Sequence, residues 1–234
     1  MERIVEPELM TEADQARAYA AANFEEAHAR YPRLFQKVFP DCPPTGHALD
    51  LGCGPGDVTR RFARILPGWR FDAVDGSPAM LAHAPASATI RYIEGFLPGV
   101  SLPCSRYDLV LCSSLLHHLH NPAVLWETIR QHTGPGSLVF VVDLRRPASR
   151  AAAEKIVREQ TSGEPEVLRR DYLNSLLAAF TPAEVRQQLR AAGLANLRVK
   201  TIGARHLMVA GVITSNPLPA TARTSDSPAT TGLR

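Results

Sequence analysis

Apolar residues come in short runs along this chain, each stopped by a glycine-rich or charged break. Ala48–Leu51, Trp69–Val74, Ile90–Ile93, Tyr107–Cys112 and Leu138–Val142 are such runs. They are short, continuous and rich in Val, Leu and Ile, which suits strands buried on both faces. Helical stretches lie between them. One begins near Asp57, a second opens at Ser77-Pro78 with serine as N-cap and proline at the first helical position, and a third follows Asn121-Pro122. Strand and helix in alternation predict an α/β protein: a parallel sheet with helices on both faces.

The ends of the chain depart from that rhythm. An Ala-rich helix is expected from about Thr11 to Arg30. A shorter helical piece follows Pro32, carrying Leu34, Phe35, Val38 and Phe39, and Asp41–Gly46 forms a rigid linker. Late in the chain, Pro147–Ser162 and Glu166–Phe180 read as helices broken at Glu164-Pro165. Thr181-Pro182-Ala183-Glu184 is a capping box with proline at N1, and Gly193 ends the helix it starts. Leu197–Ile202 and His206–Ile213 then make a hairpin around Gly203-Ala204. From Thr214 onward the residues are mostly small and polar, and the tail is expected to be disordered.

The most informative segment is Ala48–Gly56, Ala-Leu-Asp-Leu-Gly-Cys-Gly-Pro-Gly. Glycines at every second position, Gly52, Gly54 and Gly56, leave backbone bare where a strand turns into a helix. The spacing is not the Gly-x-Gly-x-x-Gly of a dinucleotide site, and no Lys-Ser or Lys-Thr follows to make a P-loop. Asp50 at the strand end would repel a pyrophosphate and accept hydrogen bonds from an ammonium group. The loop therefore suits an adenosine carrying an amino acid and no phosphate. A second acid, Asp75, ends the next apolar run, roughly 20 residues beyond the glycines, where a ribose diol is gripped.

With these features in order, the chain resembles the class I S-adenosylmethionine-dependent methyltransferases. The resemblance covers about Ala48 to Asp143 and continues more loosely to about Val212. It implies a Rossmann-like, doubly wound seven-stranded sheet with a final antiparallel strand. It implies extra N-terminal helices and a helical insertion before the last two strands. Residues 1–46 become a helical lid and linker, 47–213 the cofactor-binding domain, with 147–180 facing the acceptor, and 214–234 the tail. The cofactor implied is S-adenosyl-L-methionine, leaving as S-adenosyl-L-homocysteine after direct in-line methyl transfer. Asp50, Gly52, Cys53, Gly54 and Gly56 match its methionyl and ribose side, and Asp75, with Gly76 and Met80 behind it, its ribose. Gly95 and Phe96 frame adenine. Many relatives carry an acid where this chain has Phe96, so recognition here is expected from backbone groups and ring packing. Ser113 begins the wall nearest the methyl.

His117 and His118 follow the fourth run and carry two readings. They are either a general base, since imidazole titrates near neutrality, or a packed pair of turn histidines. Tyr19 on the N-terminal helix, Arg145 after the fifth strand and Tyr172 in the insertion are candidates for touching the acceptor. Cys53 reads as a small packable residue rather than a nucleophile.

Composition narrows the function further. A net charge of +3 with scattered basic residues is a thin footprint for nucleic acid. No Asn-Pro-Pro-Tyr-type motif is present. Four cysteines without Cys-x-x-Cys spacing argue against a disulfide framework or metal site. Met1–Glu6 lacks the apolar core of a secretory signal, and no run approaches a membrane span, so cytoplasmic residence is expected. The reading is a small-molecule methyltransferase that binds neither nucleic acid nor membrane. The alternatives are an RNA methyltransferase, or a regulatory protein that binds the cofactor without transfer. Acceptor identity and oligomeric state are left open.

Overall fold

A computed structural model of the chain describes residues 1–7 and 28–214. In chain order the elements are α1 (Arg30–Val38), β1 (Thr45–Leu51), α2 (Asp57–Ile65), β2 (Gly68–Asp75), α3 (Pro78–Leu81), β3 (Ile90–Glu94) and β4 (Leu109–Ser113). There follow α4 (Ala123–Gln131), β5 (Leu138–Leu144), α5 (Arg150–Gln160), α6 (Glu166–Ala178), α7 (Pro182–Ala191), β6 (Arg198–Ile202) and β7 (His206–Val212). The expected helix over Thr11–Arg30 falls almost wholly outside the described residues. So do Tyr19 and the tail beyond Thr214.

Seven strands form one sheet in the order β3-β2-β1-β4-β5-β7-β6. The first five are parallel to one another, and β7 inserts antiparallel between β5 and β6. The seven-stranded, doubly wound sheet with an antiparallel ending expected from the sequence is the observed one.

The two-residue repeat of a strand sends neighbouring side chains to opposite faces. Leu49, Leu51, Val110, Cys112, Val139, Val141, Leu207 and Val209 point to one side. There they meet Leu125, Trp126 and Ile129 of α4 and Val185 and Leu189 of α7. Ala48, Leu109, Leu111, Phe140, Val142, Met208 and Ala210 point to the other, against Tyr31 and Phe35 of α1 and Val58 and Phe62 of α2. Both faces are buried, which is why the strands read as continuous apolar runs.

Several boundaries move for local reasons. The fourth strand begins at Leu109 rather than Tyr107, because Tyr107 donates its N–H to the His132 carbonyl and its hydroxyl to Asp72, 2.8 Å away. The fifth strand continues to Leu144, paired there with His206 of β7. The first insertion helix starts later than Pro147, at Arg150, since Ser149 is the residue whose hydroxyl caps the Ala152 N–H. The second stops at Ala178, where Ala179 turns extended and Phe180 bridges to Arg145.

Register brings the carboxyl ends of the central strands to one edge. Leu51 lies beside Val74 and Cys112, and Cys112 beside Val141. Asp50, Asp75, Ser113 and Asp143 therefore gather at that edge. The crevice outside such strand ends, where the order reverses between β1 and β4, is where open α/β sheets bind ligands.

Candidate active site

The glycine loop turns from β1 into α2 with Gly52, Gly54 and Gly56 all in the left-handed region, at φ +74°, +54° and +76°. At Gly52 a β-carbon would lie 2.7 Å from Leu115 Cβ, and at Gly56 it would collide with the Tyr92 ring. Those two positions exclude a side chain on both conformational and steric grounds. The loop is pinned to β2 by the Gly52 and Cys53 N–H groups, which donate to the Val74 carbonyl at 2.8 and 3.0 Å. Cys53 is buried, and burial raises its thiol above the ordinary range, as expected of a packed rather than nucleophilic cysteine.

Two carboxylates flank the loop, in different environments. Asp50 is 1% exposed, and its Oδ2 accepts from the Thr59 hydroxyl at 2.6 Å. Its Oδ1 is buried without a hydrogen-bond partner. Loss of water pushes the Asp50 carboxyl up to about 6, with Thr59 pulling the other way. Asp50 also lines a small cavity with Tyr31, Phe62, Cys112, Ser113 and Phe140. Asp75 accepts from the Gly54 N–H at 2.7 Å and from the Ser77 N–H at 2.8 Å, so it ties the loop to the start of α3. Each oxygen keeps a second lone pair. Beyond it, Gly76 is partly buried, and Met80 is buried with its Cε facing the open side of Gly54. Phe96, next to Gly95 after β3, is 55% exposed, unusual for a large apolar ring.

The turn after β4 holds the histidines. Ser113 ends the strand, and Ser114 adopts a left-handed φ of 56°, a costly conformation for a residue with a side chain. Asp143, from the end of β5, accepts from the Leu116 N–H at 2.8 Å and contacts His117 Nδ1 at 2.6 Å. At 1% exposure Asp143 is interior. On the far side, Glu6 Oε1 lies 3.6 Å from His117 Nε2 and 3.3 Å from His118 Nδ1. Burial disfavours the His117 imidazolium, but Asp143 and Glu6 outweigh it and the net shift is upward. Burial, reinforced by the neighbouring His117, drives His118 down to about 3. Glu6 is pushed up, chiefly by burial.

Glu6 belongs to an N-terminal segment that lies across this turn. Arg3 donates to the carbonyls of His117 and Leu119 at 2.9 and 3.0 Å and to that of Ala178. Its guanidinium sits 4.0 Å from the centre of the Phe180 ring. Ile4 N–H bonds the Leu177 carbonyl at 3.1 Å, and Ser175 donates to Glu6 Oε2 at 3.3 Å.

A family model described as a methyltransferase domain matches residues 22–199. The chain belongs to the methyltransferase domain family. An uncharacterized methyltransferase of Mycobacterium tuberculosis is 25% identical over 168 residues, covering 70% of this chain and 83% of the relative. The trans-aconitate 2-methyltransferase of Deinococcus radiodurans is 29% identical over 120 residues, covering 50% of this chain and 45% of that protein. Among solved structures, the plantazolicin methyltransferase BpumL, in complex with a monoazolic desmethylPZN analog and SAH, superposes with a TM-score of 0.62 at 17% identity. That match covers 86% of this chain and 85% of the other. A SAM dependent methyltransferase from Aquifex aeolicus gives 0.62 at 16% identity, covering 87% and 99%. At such identities the superpositions establish the shared fold.

In this methyltransferase the remaining candidates stand away from the glycine loop. Arg145 donates through Nη2 to the Ala204 carbonyl at 2.6 Å, while its Nε is buried without a partner. Its neighbour Arg146 is interior, bonded to the Ala179 carbonyl and to Glu184. Tyr172 on α6 accepts from Arg205 at 3.3 Å. Three positions of the candidate site carried no usable signal in the sequence. Thr59 reaches Asp50 from the first turn of the loop helix, and Arg3 and Glu6 come from a segment with no pattern of its own. A separate cluster of His47, Asp72, Cys104 and Tyr107 surrounds the opposite end of the sheet. No helix among the described residues is long and apolar enough to cross a membrane.

Proposed function

We propose that this methyltransferase uses S-adenosyl-L-methionine to methylate a small-molecule acceptor. The observation that carries the reading is the loop itself: three left-handed glycines between two carboxylates, one of which holds a buried oxygen without a partner. A buried acceptor of that kind is costly unless a ligand donor reaches it, and an α-ammonium group is such a donor. The residues fit the group. Asp50, Gly52, Cys53, Gly54 and Gly56 would hold its methionyl and ribose side. Asp75, with Gly76 and Met80, would take the ribose hydroxyls on its remaining lone pairs. Gly95 and the exposed Phe96 ring would receive adenine.

When bound, S-adenosylmethionine supplies an electrophilic methyl on a sulfonium, which a correctly aligned acceptor displaces in line. The protein's own contribution is alignment and exclusion of water. Ser113, His117 and His118 form the wall at the strand ends, and His117, interior and facing Asp143 and Glu6, orders that wall. Arg145, with one unpartnered N–H, is suited to an acceptor carboxylate. The relatives named for trans-aconitate and plantazolicin support a small or peptidic acceptor.

Incubation with radiolabelled S-adenosylmethionine and separate pools of small carboxylic acids, short peptides and RNA tests this reading. Label entering a small-molecule pool, with loss of transfer in Asp75→Ala, is the expected outcome. Label entering RNA alone would replace the acceptor assignment. Cofactor binding with no transfer to any pool would favour a regulatory role.

A further inference from the structure

Where His118 meets Glu6, two hydrogen-bond acceptors face each other with no donor between them. His118 Nδ1 and Glu6 Oε1 are 3.3 Å apart, both buried, and neither has a hydrogen-bond partner. The Pro7 backbone bonds the His118 ring, while Nδ1 itself is left without a partner. A third ring nitrogen, Nε2 of His117, points to the same place. Asp143 contacts His117 Nδ1 at 2.6 Å, which fixes the proton there and turns Nε2 toward Glu6, 3.6 Å away. The three donor atoms lie within 4.8 Å of one another.

We propose that Glu6, His117 and His118 bind a borderline divalent cation, best matched by Zn2+. Two imidazoles and one carboxylate form a donor set this ion favours, with bonds of about 2.0–2.2 Å. Ligands of a tetrahedral ion at that radius stand roughly 3.3–3.5 Å apart, so two of the observed separations need a shift of only a few tenths of an ångström. Asp143 completes the arrangement as the carboxylate that orients a metal-bound histidine. The Glu6 and Asp143 side chains are 9% and 1% exposed, so a cation here would replace water with fixed opposite charges. Arg3 supplies the nearby positive charge, and it is spent on three carbonyls and the Phe180 face.

Three protein donors leave a fourth position for a water or an acceptor oxygen. The ion would also fasten residues 1–7 to the β4–α4 turn, closing the site from the N-terminal side. The absence of Cys-x-x-Cys spacing does not bear on such a site, because its donors are a histidine pair and an acid distant in sequence. The proposal concerns binding alone and stands whether or not the acceptor assignment holds.

The test uses tag-free full-length protein stripped with a chelator, titrated with Zn2+ against a chromophoric indicator and with Co2+ by visible absorption. The expected result is about one equivalent of Zn2+ bound and a Co2+ spectrum of low coordination number. Affinity should fall at least about tenfold in Glu6→Gln and in His118→Gln, and stay at the parent value in His47→Gln. Circular dichroism of each metal-free variant confirms that the fold is intact, and Glu6→Gln, a neutral isostere, guards against collapse of the turn. No stoichiometric binding by the parent would overturn the proposal. Binding that survives Glu6→Gln and His118→Gln but is lost in His47→Gln would also overturn it, by placing the ion at the other end of the sheet.

Discussion

At the scale of single residues, the two loop acids separate by environment, and each gives a distinct prediction. Asp50 is buried with one oxygen unpaired, and burial pushes its carboxyl up from the ordinary 3.8 to about 6. Between those values the folded chain keeps a proton that the unfolded chain has released. Stability therefore falls as pH rises through this window and stays lower above it. Two units correspond to about 3 kcal/mol at most. Asp50→Asn, without ligand, should thus gain about 1–3 kcal/mol over the parent near pH 8 and about half that or less near pH 5. Thermal melts at the two pH values check this, and a gap that does not widen with pH would count against it. The same variant should bind cofactor more weakly, since its amide cannot replace a carboxylate facing an ammonium. Asp75→Ala should lose ~1.5–3 kcal/mol of affinity, or roughly 10- to 150-fold, through lost charge-assisted hydrogen bonds. Calorimetry measures that directly, and equal affinity in both proteins would remove Asp75 from the site. Both acids were legible in the sequence: Asp75 ends an apolar run beside Gly76, and Asp50 stands two residues before Gly52. Their difference was not legible: Thr59, which holds Asp50, and the partnerless oxygen depend on packing that no local spacing encodes.

At the scale of elements, the helix starts were the best-marked features. Ser77 accepts from the Met80 N–H as the serine-proline pair predicts, and Thr181 with Glu184 forms the full capping box. Glu184 also pairs with Arg146, so this helix start is bound to the end of β5. Thr181→Ala should cost about 1 kcal/mol, lowering the melting temperature by about 2–4 °C for a domain of this size. A melt within about 1 °C of the parent would show that Arg146 and Pro182 suffice to hold the start of α7. Less was legible where an element's limit is set by its neighbour. The fifth strand runs on to Leu144 because β7 offers it a partner, and the fourth begins late because Tyr107 turns to Asp72. These are tertiary choices made on an otherwise uniform apolar run. The N-terminal segment is the extreme case: Met1–Glu6 has neither helical nor strand periodicity, yet Arg3 and Glu6 make the contacts that order the histidine turn.

Across the whole molecule, alternation of strand and helix predicted the parallel sheet, and the family resemblance supplied the antiparallel ending, as observed. That topology places every acid and glycine of the candidate site at one edge, while the His47, Asp72 and Cys104 cluster falls at the other. What the sequence could not reach is the contact of Glu6 and Asp143 with His117, because they meet only once the sheet is assembled and the N-terminal segment lies across the turn. The central claim is that the glycine loop receives a phosphate-free adenosyl ligand. Isothermal titration of the full chain with S-adenosylhomocysteine, in the presence and absence of NAD, tests it most directly. The account predicts a single site whose heat is unchanged by the dinucleotide and weakened by Asp75→Ala. No binding heat, or displacement of the ligand by NAD, would contradict it.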